Sequence, residues 1–172
     1  AGQLARTDRN TKAFERSVRS LDADIDIAVT AEPELVRRAD RIVLPGVGAF
    51  EDCMNGLMAV RGMRDAMEER VIRQGVPFLG ICVGMQLLAR VGHEFGDTQG
   101  LGWIDSEVGK LTPSDASLKI PHMGWNELKI AKSHPILDGF KPGTNVYFVH
   151  SYAMRIDEAA RDYLPHMYGA VN

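Results

Sequence analysis

Apolar residues along this chain follow two rhythms, and the change from one to the other divides it. Ile42-Val43-Leu44 is a continuous apolar run of strand length, broken by Pro45-Gly46-Val47-Gly48. From Glu51 to about Arg73, Met54, Leu57, Met58, Met67 and Val71 recur at helical spacing and predict one long helix. A second strand-length run, Val76-Pro77-Phe78-Leu79-Gly80-Ile81, passes through Cys82 into a helix-like segment carrying Met85, Leu88 and Ala89. Upstream, Phe14, Val18 and Leu21 at i, i+4 and i+7 predict a helix over 11–21. Asp26–Thr30 reads as a short strand, and Glu32–Ala39 as a brief helix with Pro33 in its first turn, where a missing N–H costs nothing. Ala1–Asn10 has neither period and reads as irregular.

Strands alternating with helices at these intervals mean βαβ units and a parallel sheet covered on both faces. After Gly92 the texture changes to short β-like stretches at Glu107–Leu111, Trp125–Ile130, Asn145–Val149 and Tyr152–Ile156. Turn residues at Pro113-Ser114-Asp115, Ser133-His134-Pro135 and Lys141-Pro142-Gly143 separate them. The expected architecture is therefore α/β: an open, mostly parallel sheet flanked by helices, with antiparallel strands added at its edge rather than in a second domain.

The cysteine at the strand-to-helix junction changes the picture most. A free cysteine is most often one more small buried apolar residue. Cys82, however, stands two residues from both Gly80 and Gly84, after an apolar strand and one helical turn before Gln86. That is the pattern of a nucleophile elbow, in which a tight turn needs side-chain-free neighbours and projects its central residue outward. The start of a helix favours a thiolate there, and a thiolate is the attacking species.

Pro45-Gly46-Val47-Gly48 also follows a buried strand, so both loops should open at the same sheet edge, where open α/β folds bind ligands. Backbone N–H groups of Val47 or Gly48, with that of Val83, could then receive an oxyanion. An ordinary strand-ending turn or a phosphate-binding loop is the alternative for this segment. Gln86 lies four residues past Cys82, on the same helical face, and Glu94 lies twelve past it, free to fold back. An amide and a carboxylate near a nucleophile suit a substrate with a carboxamide and an α-ammonium group. His150-Ser151-Tyr152 could meet a substrate carboxylate, and Trp125 reads equally well as core or as an exposed anchor for a partner. Cys53, near the start of the long helix, reads as packing.

Composition mostly excludes. The 172 residues suffice for one domain; 45% are hydrophobic, 25% charged, and the net charge is −3, which gives no reason to expect nucleic acid or an acidic membrane as partner. No apolar run approaches the roughly 18 residues that span a bilayer. Two cysteines make neither a disulfide framework nor a zinc pattern, and a reactive thiol fits a reducing, cytoplasmic location. Neither a metal nor a cofactor is expected.

Four segments together resemble the class I (triad) glutamine amidotransferases: Leu44-Pro45-Gly46-Val47-Gly48-Ala49-Phe50, Gly80-Ile81-Cys82-Val83-Gly84-Met85-Gln86, Pro121-His122-Met123-Gly124-Trp125-Asn126 and Tyr147-Phe148-Val149-His150-Ser151-Tyr152. More narrowly, they resemble the glutaminase subunits of imidazole glycerol phosphate synthase, over about Thr11 to Tyr152. The resemblance implies a flavodoxin-like fold and a Cys82 that attacks the side-chain amide of L-glutamine, forming a glutamyl thioester and releasing ammonia. It implies oxyanion-hole N–H groups from Val83 and Val47, and substrate contacts from Gly48, Gln86, Glu94, Ser151 and Tyr152. It also implies a separate (β/α)8-barrel cyclase as heterodimer partner, toward which His122, Met123 and Trp125 would lie. In this family the Pro-Gly-Val-Gly strand is a switch, unproductive until that partner binds its ligand.

Two departures stand out. The family begins with a strand ending in an Asp-Tyr-Gly-x-Gly-Asn turn, of which Ala1-Gly2-Gln3-Leu4 is only a faint echo, and it ends with a His-Pro-Glu segment completing a Cys-His-Glu triad. This sequence stops at Tyr168-Gly169-Ala170-Val171-Asn172, so the expectation is a single domain over 1–172, incomplete at both ends. His150 belongs to the substrate-binding motif and His166 to an irregular tail, and neither is assigned a catalytic role. The alternatives are the glutaminase of another pathway, of the pyridoxal phosphate synthase type; a catalytically dead partner-binding module; and a cysteine hydrolase or chaperone with a similar elbow.

Overall fold

The computed structural model describes residues 12, 16–20, 25–113, 115, 117–128, 130 and 133–155. Strand β1 (Ile42–Gly46) runs parallel to β2 (Phe78–Cys82), with Ile42 opposite Phe78 and Gly46 opposite Cys82. Parallel pairing forces both strands to end at one edge, so the Pro-Gly-Val-Gly loop and the cysteine leave the sheet side by side, as the sequence predicted. A second sheet has the order β4-β3-β5-β8, built from Thr98–Gln99, Val91–Gly92, Glu107–Lys110 and Tyr152–Arg155. In it β3 and β5 are parallel, whereas β3–β4 and β5–β8 are antiparallel. A third, two-stranded antiparallel sheet joins β6 (His122–Glu127) to β7 (Asn145–His150). The short strands expected after Gly92 are present, with β6 beginning three residues before the predicted Trp125, but among the described residues they form two sheets of their own instead of extending the edge of the β1–β2 sheet, because their ladder partners are one another.

The N-terminal part holds one correction. Residue 12 and residues 16–20 are helical, while Thr11, Phe14 and Leu21 of the predicted helix lie outside the described residues, as does the Ala1–Asn10 segment. Asp26–Thr30 is irregular rather than a strand. The reason is local: the Arg19 guanidinium donates to the carbonyls of Ile25 (3.4 Å) and Ile27 (3.3 Å), acceptors that a ladder would otherwise engage. Helix α1 (Pro33–Arg38) does form, with Pro33 in its first turn and with Glu34 and Arg37–Arg38 placed to suit the helix dipole.

The long helix predicted over Glu51–Arg73 is broken. Helix α2 (Phe50–Met58) ends in a turn, Gly62 adopts φ +81°, and α3 (Met63–Met67) restarts and widens into a π-helical stretch over Glu68–Arg73. Met54 and Met63 are nine positions apart, about two and a half turns at 3.6 residues per turn, and would face opposite sides of one continuous helix. The break brings both into a single core with Phe50, Met67, Val83, Leu87, Leu88, Ala89, Leu101, Ile104, Val108 and Met154. Met58, expected on the inner face, is instead 47% exposed beside the break. The core thus sits beneath the elbow and seats it. No helix among the described residues is long and apolar enough to cross a membrane.

On the second sheet His93 lies between two carboxylates, with Nδ1 2.6 Å from Asp97 and Nε2 3.2 Å from Glu107, and these two bonds raise its pKa, that to Asp97 most. A raised value means that the folded state holds the proton more tightly than the unfolded chain. The resulting stability is therefore fully present below the ordinary histidine range near 6.5 and is lost as pH rises through the higher folded-state value. His93→Gln should lower the melting temperature at pH 5.5 and leave it almost unchanged at pH 9. An equal difference at both pH values would contradict the pair's role.

Candidate active site

At the elbow the chain turns within one residue. Cys82 has φ +55° and ψ −121°, a conformation that L-residues adopt only under constraint, and one of two non-glycine residues with positive φ among those described. The constraint is the close approach of strand and helix. A Cβ on Gly84 would stand 1.9 Å from the Leu44 carbonyl oxygen, and one on Gly80 would stand 2.6 Å from the Met85 Cα. Neither position admits a side chain, which is the requirement that the glycine spacing implied. Helix α4 (Val83–Gln86) begins at once, with Leu87 N–H closing on the Val83 carbonyl at 2.9 Å. Val83 and Leu87 sink into the core while the Cys82 thiol stays exposed. Among the described residues no side chain hydrogen-bonds that thiol.

Val47 is half exposed beside the elbow, and Gly48 follows at φ +120°. The Val47 carbonyl accepts a hydrogen bond from the Cys53 thiol, Sγ to O 3.5 Å. Burial pushes the Cys53 thiol up, against the opposing effect of that bond, and the charges of Asp52, Cys82 and Glu94 push the same way as burial. Cys53 thus packs against the core, as expected, and also fixes the loop next to the nucleophile. The sequence contained no signal for this bond, because it depends on α2 starting immediately after Gly48.

Glu94 does fold back. Its Oε2 accepts from the Phe50 N–H at 2.9 Å, capping the first turn of α2 and leaving Oε1 for another partner. Gln86 donates from Nε2 to the Tyr152 carbonyl at 3.3 Å. Ser151 forms the bend between β7 and β8 and is half-buried, with its carbonyl accepting from Leu111 N–H at 2.9 Å. The Tyr152 ring packs against the core, so it is the backbone of this residue, not its phenol, that meets Gln86. The register thus sets Cys82 beside Gly46, Glu94 is tied to the helix that follows the Pro-Gly-Val-Gly loop, and Gln86 is tied to the backbone of Tyr152, whereas Ser151 bonds Leu111.

The residues expected to face a partner divide between two faces of one sheet. In the β6–β7 ladder Met123 pairs with Val149 and Trp125 with Tyr147. All four are exposed, Trp125 by 70%, and the Trp125 and Tyr147 rings meet edge-to-face at 5.5 Å. His122, one residue from Met123, points to the opposite face and stacks on Phe148 at 5.1 Å. Sequence reading missed Tyr147 and Val149. The alternation of Tyr147 and Val149 with Val146, Phe148 and His150 was visible, but the register that sets them against Trp125 and Met123 was not.

Comparison with known proteins agrees with this geometry. The family model "Glutamine amidotransferase class-I" matches residues 6–166. The chain is 54% identical over 145 residues to imidazole glycerol phosphate synthase subunit HisH of Ruegeria pomeroyi, covering 84% of this chain and 68% of that one. With the subunit of the same name from Agrobacterium fabrum the identity is 53% over 145 residues, covering 83% and 67%. A solved structure titled "Crystal structure of glutamine amidotransferase" superposes with a TM-score of 0.61 at 16% identity, over 86% of this chain and 70% of that one, and carries the likeness of fold alone.

Proposed function

Because this chain belongs to the class I glutamine amidotransferases, we propose that Cys82 releases ammonia from glutamine as the glutaminase subunit of an imidazole glycerol phosphate synthase in histidine biosynthesis. The single observation that carries the chemistry is the strained, exposed Cys82 at the end of β2, level with the Pro-Gly-Val-Gly loop at the end of β1. The exposed thiol attacks the carboxamide carbon of glutamine, and the oxygen that becomes negative is received by backbone N–H groups of Val83 and Val47. Collapse expels ammonia and leaves a glutamyl thioester, which water hydrolyses to glutamate. The departing nitrogen needs an acid and the thiol needs a base, the roles this family gives to the histidine of a His-x-Glu segment.

The substrate is held by the surrounding groups: the free oxygen of Glu94 suits the α-ammonium group, while Gly48, Ser151 and the Tyr152 backbone suit the carboxylate end. Gln86 positions the segment that carries them. No metal or cofactor enters this chemistry. Release of glutamate and ammonia from glutamine, measured with and without the cyclase, tests the activity. Turnover of the imidazole precursor with glutamine but not without it separates this pathway from that of a pyridoxal phosphate synthase glutaminase.

Met123, Trp125, Tyr147 and Val149 form the face that meets the cyclase, a (β/α)8 barrel. Four exposed apolar side chains on paired strands, with an aromatic pair at the centre, suit an apolar partner surface. Trp125→Ala should weaken association with the cyclase by about tenfold or more, as expected for an aromatic anchor. Titration of the labelled subunit measures this, and an affinity within about twofold of the unaltered protein would place the interface elsewhere.

A further inference from the structure

Behind the apolar face of β6 and β7, on the side turned toward the second sheet, four polar groups are linked in one line. Asn126 Nδ2 lies 2.6 Å from His122 Nε2, and His122 Nδ1 lies 3.0 Å from His150 Nε2. His150 Nδ1 lies 3.1 Å from the Tyr152 carbonyl, which also accepts from Gln86 Nε2 at 3.3 Å. The two histidines are directly opposite one another in the β6–β7 register, both half-buried, and Phe148 packs against both rings. The proposed chemistry gives no role to either.

Only one arrangement of protons satisfies the line with both rings neutral. A carbonyl oxygen only accepts, so His150 must carry its proton on Nδ1, which leaves its Nε2 as an acceptor. His122 must then donate from Nδ1, and its own Nε2 must accept from the Asn126 amide. We infer that His122 and His150 are positioning residues that act as a directed hydrogen-bond line, fixing the Tyr152 carbonyl and through it the Gln86 side chain at the glutamine site. The inference rests on the reading of that site given above and adds how it is kept in shape. His150 is the last residue of β7 and Tyr152 the first of β8, so the line spans the point where the chain crosses between sheets. Without it, the Tyr152 carbonyl keeps, among the described residues, its bond from Gln86.

The consequence is for substrate binding rather than for the chemical step. His150→Ala should raise KM for glutamine about tenfold, the scale of one lost hydrogen bond, with kcat within about twofold. His150→Asn places an amide nitrogen near the position of Nδ1 and should bring KM back to within about threefold of the unaltered value. His150→Gln restores only the end facing His122 and should not. An unchanged KM in His150→Ala, or equal behaviour of the Asn and Gln variants, overturns the inference.

Nitrogen-15 spectra of the imidazole rings at pH 8 provide the readout that does not depend on activity. Both His122 and His150 should show the proton on Nδ1; a proton on Nε2 of either ring overturns the line. If the unaltered complex released no glutamate from glutamine, the glutaminase reading would fail, while the ring spectra would still decide whether the line exists.

Discussion

Cys82→Ala should abolish glutamine hydrolysis, lowering kcat by about a thousandfold or more in the complex with the cyclase. Loss of the attacking atom cannot be compensated by the oxyanion groups, which stabilise a charge that now never forms on a covalent adduct; a thousandfold is about 4 kcal/mol of transition-state stabilisation. The backbone gives this position a second signature. A side chain at φ +55° and ψ −121° is held there at a cost of about 1–3 kcal/mol, and alanine inherits that cost unchanged. Glycine does not. Cys82→Gly should therefore be inactive yet melt above Cys82→Ala, by about 1 kcal/mol once the greater freedom of unfolded glycine is subtracted. Thermal unfolding of the two inactive variants checks this, and a glycine variant no more stable than the alanine one would mean that the elbow is unstrained.

Among the described glycines, Gly84→Ala should be the most damaging added methyl, since its Cβ makes the shortest contact. Its Cβ would lie 1.9 Å from the Leu44 carbonyl oxygen and 2.8 Å from the Leu44 carbonyl carbon, both backbone atoms of a strand paired along its whole length with β2. No rotamer change relieves such a clash, so α4 must move away from β1 and take the buried Val83 and Leu87 with it. Overpacking of this kind costs about 3 kcal/mol or more, a fall in melting temperature of roughly 6–12 °C for a chain of this size. Displacing the elbow also misplaces Cys82, so activity should fall at temperatures where the variant is still folded. Gly56→Ala is the control: nothing lies within 4 Å of its added Cβ, and it sits inside α2, where alanine is the better helix former. Equal melting temperatures for the two variants would contradict the packing described for the elbow.

The site was legible where its cause is local in the chain. Gly80 and Gly84 around Cys82 state a steric requirement that any backbone making this turn must meet, so residue type and spacing were enough. The Pro-Gly-Val-Gly loop was legible for a related reason, since two parallel strands necessarily deliver their following loops to one edge. What the sequence could not show depended on partners brought from elsewhere. Asp26–Thr30 has the residue types of a strand, but strand formation needs a neighbour, and Arg19 holds the Ile27 carbonyl within it and the Ile25 carbonyl just before it. The break after Met58 followed from the need to bury Met54 and Met63 together, a demand set by the core and only hinted at by Gly62. The resemblance set His122 toward the partner together with Met123 and Trp125; strand alternation sends it to the opposite face from those two, onto Phe148 and His150. Glu94 was expected near the substrate; what the structure shows is that it caps α2, a bond that ties a residue twelve positions beyond Cys82 to the helix following the Pro-Gly-Val-Gly loop.

Of the two cysteine sulfurs, the exposed one of Cys82, and not that of Cys53, is expected to attack glutamine. A diazoketone analogue of glutamine alkylates the thiol that would attack the substrate, and digestion followed by mass spectrometry locates the added mass. In the complex with the cyclase one adduct is expected, on the peptide carrying Cys82, suppressed by excess glutamine. An adduct on Cys53, or none on Cys82 in a complex that hydrolyses glutamine, would contradict it.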